Sequence, residues 1–216
     1  MVKYALLRRP AAVGSAVGLG AAFLLLLSTP AFAHHPFGGE APKNLFEGIV
    51  SGIGHPILGL DHFAFIVAMG LLAAIVRNGF AIPLSFLIAA VVGTGLHLSE
   101  LHLPATELVI SGSVLVFGAI AASRRSPGLI AITILAAIAG VFHGYAYGEA
   151  IVGAEPTPLV AYLMGFTGVQ GAIAYVAYFL ANRTLKNNPS LGLVSIRNAG
   201  FVICGAGVAF LGGLLA

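Results

Sequence analysis

Gly128-Leu-Ile-Ala-Ile-Thr-Ile-Leu-Ala-Ala-Ile-Ala-Gly140-Val-Phe-His143-Gly-Tyr-Ala-Tyr147 contains no Asp, Glu, Lys or Arg. A helix of about 20 such residues is long enough to cross the roughly 30 Å hydrocarbon core of a bilayer. The rest of the 216-residue chain repeats the theme: 59% of its residues are hydrophobic and only 8% charged, and its mean hydropathy is +1.02. A soluble domain has about 25% charged residues, so this composition excludes a soluble globular protein, a disordered chain and a nucleic-acid binder. With 29 glycines and no tryptophan, close helix contacts through small residues are expected.

The same reading gives six spans, at about 57–76, 80–98, 105–122, 128–147, 158–181 and 196–215, each bounded by charge or by Pro and Gly. Residues 44–54 form a candidate seventh, half-length helix. The expected fold is all-α: a polytopic membrane protein built as one compact bundle over 34–216, with loops too short for a soluble module. Charge placement supports the count. With the mature N-terminus outside, the inner segments and their edges carry Arg77, Arg124, Arg125, Arg183, Lys186 and Arg197 and no acid. The outer ones carry Glu40, Glu47, Glu100, Glu107, Glu149 and Glu155, with Lys43 their one base. That is the positive-inside pattern, and it places the C-terminus outside as well.

The first 33 residues read as a secretory signal peptide. Lys3, Arg8 and Arg9 precede an apolar run from Gly14 to Leu27, and Ala31-Phe32-Ala33 supplies a small-residue cleavage site. Removing those three cations leaves seven bases against seven acids, so the basic character of the whole chain says nothing about partners. Cys204 is the single cysteine. It forms no intrachain disulfide and is expected, with Met69 and Met164, to serve packing. Gly140, Gly144 and Gly148 form a GxxxGxxxG row suited to a close contact within the monomer or to a dimer face.

Polar residues stand where lipid is expected. The first group is Gly54-His55-Pro56-Ile-Leu-Gly59-Leu-Asp61-His62. On a continuous helix His55 and His62 share a face, about 10 Å apart along the axis. Pro56 suits a first helical turn. A site joining His55, Asp61 and His62 requires a kink, which Gly54, Pro56 and Gly59 allow. An Asp near the bilayer interior costs about 2.5–3.5 kcal/mol and calls for a partner. An imidazole or a divalent cation would serve, Ni²⁺, Co²⁺, Zn²⁺ and Cu²⁺ all suiting such donors; the alternative is a capping Asp beside a buried His. The second group is Phe142-His143-Gly-Tyr-Ala146-Tyr-Gly148-Glu149, at the same outer depth. His97, Glu100 and His102, with Glu107, surround an outer loop and are candidates for auxiliary metal capture or simple solvation; His34 and His35 begin the mature chain, as further candidates for metal capture or an accident of the cleavage site. Thr167 and Gln170 could line a polar path or bond between helices. Outer acids above imidazoles suit capture and inward passage of a cation.

At His55-Pro-x-x-Gly-x-Asp61-His62 and Phe142-His143-Gly-x-Ala146-x-Gly148-Glu149 the chain resembles the HupE/UreJ family, membrane accessory proteins of hydrogenase and urease regarded as nickel, sometimes cobalt, permeases. The resemblance extends over essentially the whole chain. It implies that His55, Asp61 and His62 serve metal transport, that His143 and Glu149 form a second functional set, and that the chain is linked to hydrogenase or urease maturation. It also supplies the identity of the cargo, Ni²⁺, with Co²⁺ or another divalent ion as the alternative; donor chemistry alone would favour Cu²⁺.

The expectation is therefore an inner-membrane importer without enzymatic activity, permanent cofactor or nucleic-acid partner. The alternatives are a non-transporting metal-binding assembly factor and an intramembrane metalloenzyme. Neither a Walker A motif nor HExxH occurs in the sequence.

Overall fold

A computed structural model describes residues 41–123 and 127–215. The expected signal peptide, His34, His35, Glu40, Arg124 and Arg125 lie outside the described residues. Within them there are seven helices and no strand: α1 (Leu45–Leu58), α2 (Leu60–Ile75), α3 (Ala81–Leu98), α4 (Thr106–Ala122), α5 (Leu129–Glu149), α6 (Pro156–Asn187) and α7 (Pro189–Leu215).

α3, α5, α6 and α7 are each long and apolar enough to cross a membrane. α4 is apolar but has 17 residues. α1 and α2 meet the criterion only as a pair, bent by 79°. Apolar side chains remain exposed around the bundle, including Ile88, Ile130, Val160 and Met164. A face of this kind is stable against lipid and costly against water.

Three helix pairs carry most of the packing: α3 with α5, α4 with α7, and α1 with α6. The glycine row on α5 explains the first. A Cβ added at Gly140 would lie 2.7 Å from the Phe86 carbonyl oxygen, and one at Gly144 would collide with the Ala90 carbonyl. The row is thus buried inside the monomer. Thr94 fastens the contact, its hydroxyl lying 2.8 Å from the Gly144 carbonyl oxygen and 3.1 Å from that of Ala90. Between α4 and α7, Gly118 meets the backbone of Cys204, so this half-buried cysteine occupies a helix contact.

The charges sort by helix end. Arg77, Arg183, Lys186 and Arg197 lie at one end of the bundle, where Arg197 Nε donates to the last carbonyl of α4, Ala122, at 3.1 Å. A cation suits a helix C-terminus. Glu47, Glu100, Glu107, Glu149 and Glu155 mark the other, acidic end. There Asn44 caps α1 by accepting from the Glu47 amide at 2.9 Å, while the Glu47 carboxylate accepts from the Lys43 amide at 2.8 Å. This reciprocal arrangement starts the helix firmly.

Several expectations need correction. The span expected from residue 57 is interrupted at Gly59, whose φ of −72° and ψ of 97° are extended. The half-helix expected at 44–54 continues to Leu58. Pro56 stands in its last turn, not the first turn of a new helix. Its missing N–H weakens helical bonding just before the break. The segment 182–195, expected between spans, is helical on both sides of Asn188. Met69 is a core residue at 1% exposure, but Met164 faces outward at 68%.

Candidate functional site

α1 descends from the acidic end beside the first half of α6, with Gly52 against Tyr162 and Gly48 against Pro158. This contact carries His55 into the bundle. The break at Gly59 then turns the chain so that α2 presents His62 to α5. His55 and His62 are therefore much nearer than a continuous helix would place them, with ring centroids 5.6 Å apart. A Cβ on Gly59 would stand 2.6 Å from His62 Cδ2, so the bend leaves room for glycine alone without displacing the ring.

His143 of α5 completes a group of three buried imidazoles; His55, His62 and His143 are 8%, 5% and 0% exposed. His143 lies six residues before Glu149, about 9 Å into the bundle from that end. Its Nδ1 is 2.7 Å from His62 Nδ1, and its Nε2 is 3.0 Å from Ser113 Oγ on α4. A transition ion bound at about 2.0–2.1 Å by both Nδ1 atoms would hold them about 2.9 Å or more apart. The 2.7 Å contact is a hydrogen bond.

Two tyrosines and a glutamine extend the polar group. Tyr162 donates to the Tyr147 carbonyl at 2.9 Å, and its oxygen lies 3.3 Å from His55 Nδ1. Tyr147 packs against both His55 and His62 and donates to Gln170 Oε1 at 3.4 Å. Gln170 in turn donates to the Phe166 carbonyl at 3.0 Å. Of the two roles open to Gln170, bonding between helices is the one seen. Buried polar groups joined in this way avoid the cost of unmet hydrogen bonds. His143 also packs against Phe65 and Phe86, and Phe65 against Phe117, all buried.

Asp61 is only partly buried, and its Oδ1 accepts from the His62 backbone N–H at 2.8 Å. The carboxylate thus caps the start of α2. It also lies within electrostatic range of Glu107, as does Glu149. Glu107 and Glu149 are exposed at the acidic end. His97 lies against Tyr145, with centroids 4.5 Å apart, and its buried Nδ1 has no hydrogen-bond partner among the described residues. Glu100 and His102 are exposed in the α3–α4 connection. Among the described residues no three His, Cys, Asp or Glu side chains converge as a metal-holding set.

Ser113, Tyr147 and Tyr162 were not legible as site residues. Tyr147 sits within the second motif, but serine and tyrosine in apolar helices are too common to single out. Only the packing of α4 and α6 on the two motif helices identifies Ser113 and Tyr162.

The HupE / UreJ protein family model matches residues 22–210. Protein HupE of Rhizobium leguminosarum bv. viciae is 29% identical over 199 residues, covering 89% of this chain and 94% of that protein. No solved structure matches. With both motifs gathered around one helix break and the family match extending over most of its length, the chain belongs to the HupE/UreJ family.

Proposed function

We propose that the protein is a six-span inner-membrane permease that carries Ni²⁺, with Co²⁺ as the nearest alternative, from the periplasm to the cytoplasm for maturation of a nickel enzyme. It performs no catalysis, and the ion is cargo. Both chain termini of the mature protein are periplasmic in this reading, and the acidic end of the bundle is its outer mouth.

The observation that carries the proposal is the interrupted α1–α2 helix, which holds His55 and His62 together below a rim of carboxylates. Helix interruptions at membrane depth are tolerated where they are buried in protein or line a path. The C-terminal end of α1 also brings the negative end of its dipole toward the site, which favours a cation. An inside-negative potential adds about 4–5 kcal/mol per 100 mV for a divalent ion moving inward.

The test is uptake of Ni²⁺, Co²⁺, Zn²⁺ and Cu²⁺ into sealed proteoliposomes containing the purified protein, with His62→Ala as control. Saturable Ni²⁺ entry lost in the variant is the expected result. Retained metal without entry would replace the permease by a metal-binding assembly factor.

A further inference from the structure

We infer that Ser113 and Tyr162 are positioning residues that hold His62 and His55 with the ring proton on Nδ1 and the lone pair on Nε2. The inference deepens the proposed transport function and rests on it in taking these two rings as donors to a divalent cation.

The assignment follows from counting protons. Ser113 Oγ is 2.6 Å from the Ile110 carbonyl oxygen. A carbonyl only accepts, so the single hydroxyl proton is committed there. The remaining contact, His143 Nε2 at 3.0 Å, must then bring its own proton to the serine oxygen. A neutral imidazole protonated at Nε2 has a bare Nδ1. His62 Nδ1, 2.7 Å away, is therefore the donor across the pair, and in the neutral ring the lone pair of His62 resides on Nε2.

A second relay reaches the same end through different residues. The Tyr162 hydroxyl gives its proton to the Tyr147 carbonyl at 2.9 Å. Its oxygen is left to accept from His55 Nδ1 at 3.3 Å, which in the neutral ring places the His55 lone pair on Nε2. Free neutral histidine prefers the opposite tautomer, with an N–H at Nε2. An N–H directed at a cation repels it, whereas a lone pair coordinates it. Fixing a ring by hydrogen bonding its other nitrogen is the usual way proteins prepare a histidine ligand. In this arrangement both nitrogens of His143 are committed, so His143 acts through His62.

The test uses the full chain labelled with ¹⁵N-histidine in lipid nanodiscs without metal. Resonances are assigned with His55→Gln, His62→Gln and His143→Gln. The ¹⁵N shifts and one-bond N–H couplings should show Nδ1–H at His55 and His62 and Nε2–H at His143. Nε2–H at His62 in the unsubstituted protein would overturn the inference. Ser113→Ala should redistribute the protons of His143 and His62 and weaken Ni²⁺ binding in equilibrium dialysis by about 10–100-fold. Ser113→Thr, which keeps the hydroxyl, should restore both. Unchanged tautomers and unchanged affinity in Ser113→Ala would overturn the role of the serine, and the spectrum of the unsubstituted protein decides the assignment if that variant fails to fold. The expected tautomers in a protein that binds no Ni²⁺ would support the relay and defeat the transport reading, so the two fail separately.

Discussion

Gly59→Ala places a single methyl group at the bend between α1 and α2. The backbone there, φ −72° and ψ 97°, is open to alanine, so the penalty is steric. The added Cβ would lie 2.6 Å from His62 Cδ2, 3.2 Å from the His55 carbonyl oxygen and 3.3 Å from Asp61 Oδ1. Ordinary carbon contacts fall at about 3.5–4.0 Å, so the imidazole must retreat by about 1 Å. Cδ2 lies on the ring edge opposite Nδ1, and His62 Nδ1 is already only 2.7 Å from His143 Nδ1, so a displacement of that size cannot keep their hydrogen bond. Overpacking of this kind costs about 1–3 kcal/mol of stability, which a helical bundle of this size should survive. Loss of a fixed ligand orientation costs about 10–100-fold in metal affinity. The assay is the initial rate of Ni²⁺ uptake into proteoliposomes at limiting metal, beside a thermal melt of the same sample. Gly112→Ala is the control, because a Cβ there meets nothing within 4 Å. The expected result is a folded Gly59→Ala protein with strongly reduced uptake and a control like the unsubstituted protein. Full uptake by Gly59→Ala at limiting metal would refute the claim that the bend positions His62.

Two other substitutions separate scaffold from site. Gly144→Ala drives a Cβ into the Ala90 backbone at the α3–α5 contact, so the helices must part; a lower melting temperature and poor recovery of folded protein are expected, and a normal melt would show that this contact yields easily. Glu149→Gln removes an exposed charge near Glu107 and should slow uptake at low ionic strength, with the difference fading as salt is raised. An equal deficit at every salt concentration would argue against electrostatic attraction at the outer mouth.

The helical class and the approximate position of the long spans were legible because a bilayer imposes a minimum apolar length. The glycine row on α5 was legible as a contact, though its partner was not: nothing in Gly140, Gly144 and Gly148 names Phe86 and Ala90 on α3. The α1–α2 bend was half visible. Gly59 and Pro56 mark a weak point, but hydropathy averages over it and joins the two helices into one span. That is why a separation of about 10 Å along a shared axis was expected for His55 and His62 where the rings are 5.6 Å apart. His143, deep in the span that carries the second motif, is fully buried. Its hydrogen bond to His62 depends on how the side chains of α2 and α5 meet across the bundle, which no local pattern encodes. Ser113 and Tyr162 lie on helices without a motif and acquire meaning only from that packing.

Two roles can be separated at Asp61, a helix-start acceptor and a charge for the proposed cargo. Breaking a helix inside an apolar bundle leaves the first amides of the next helix without helical acceptors, and in hydrocarbon each unmet group costs several kcal/mol. Gly59 remains bonded on both sides, donating to His55 O at 3.0 Å and accepting from Phe63 N at 2.8 Å. The Asp61 carboxylate answers the amide of His62 at 2.8 Å. Its negative charge also suits the N-terminus of α2 and an approaching cation alike. Asp61→Asn keeps an acceptor oxygen and removes the charge, whereas Asp61→Ala removes both. Capping losses run to about 0.5–2 kcal/mol, so Asp61→Ala should melt at a lower temperature while Asp61→Asn stays close to the unsubstituted protein. If the charge serves the cation, both variants should lose Ni²⁺ uptake. Asp61→Asn transporting at the full rate would reduce Asp61 to a helix cap and leave the passage of the ion to the imidazoles alone.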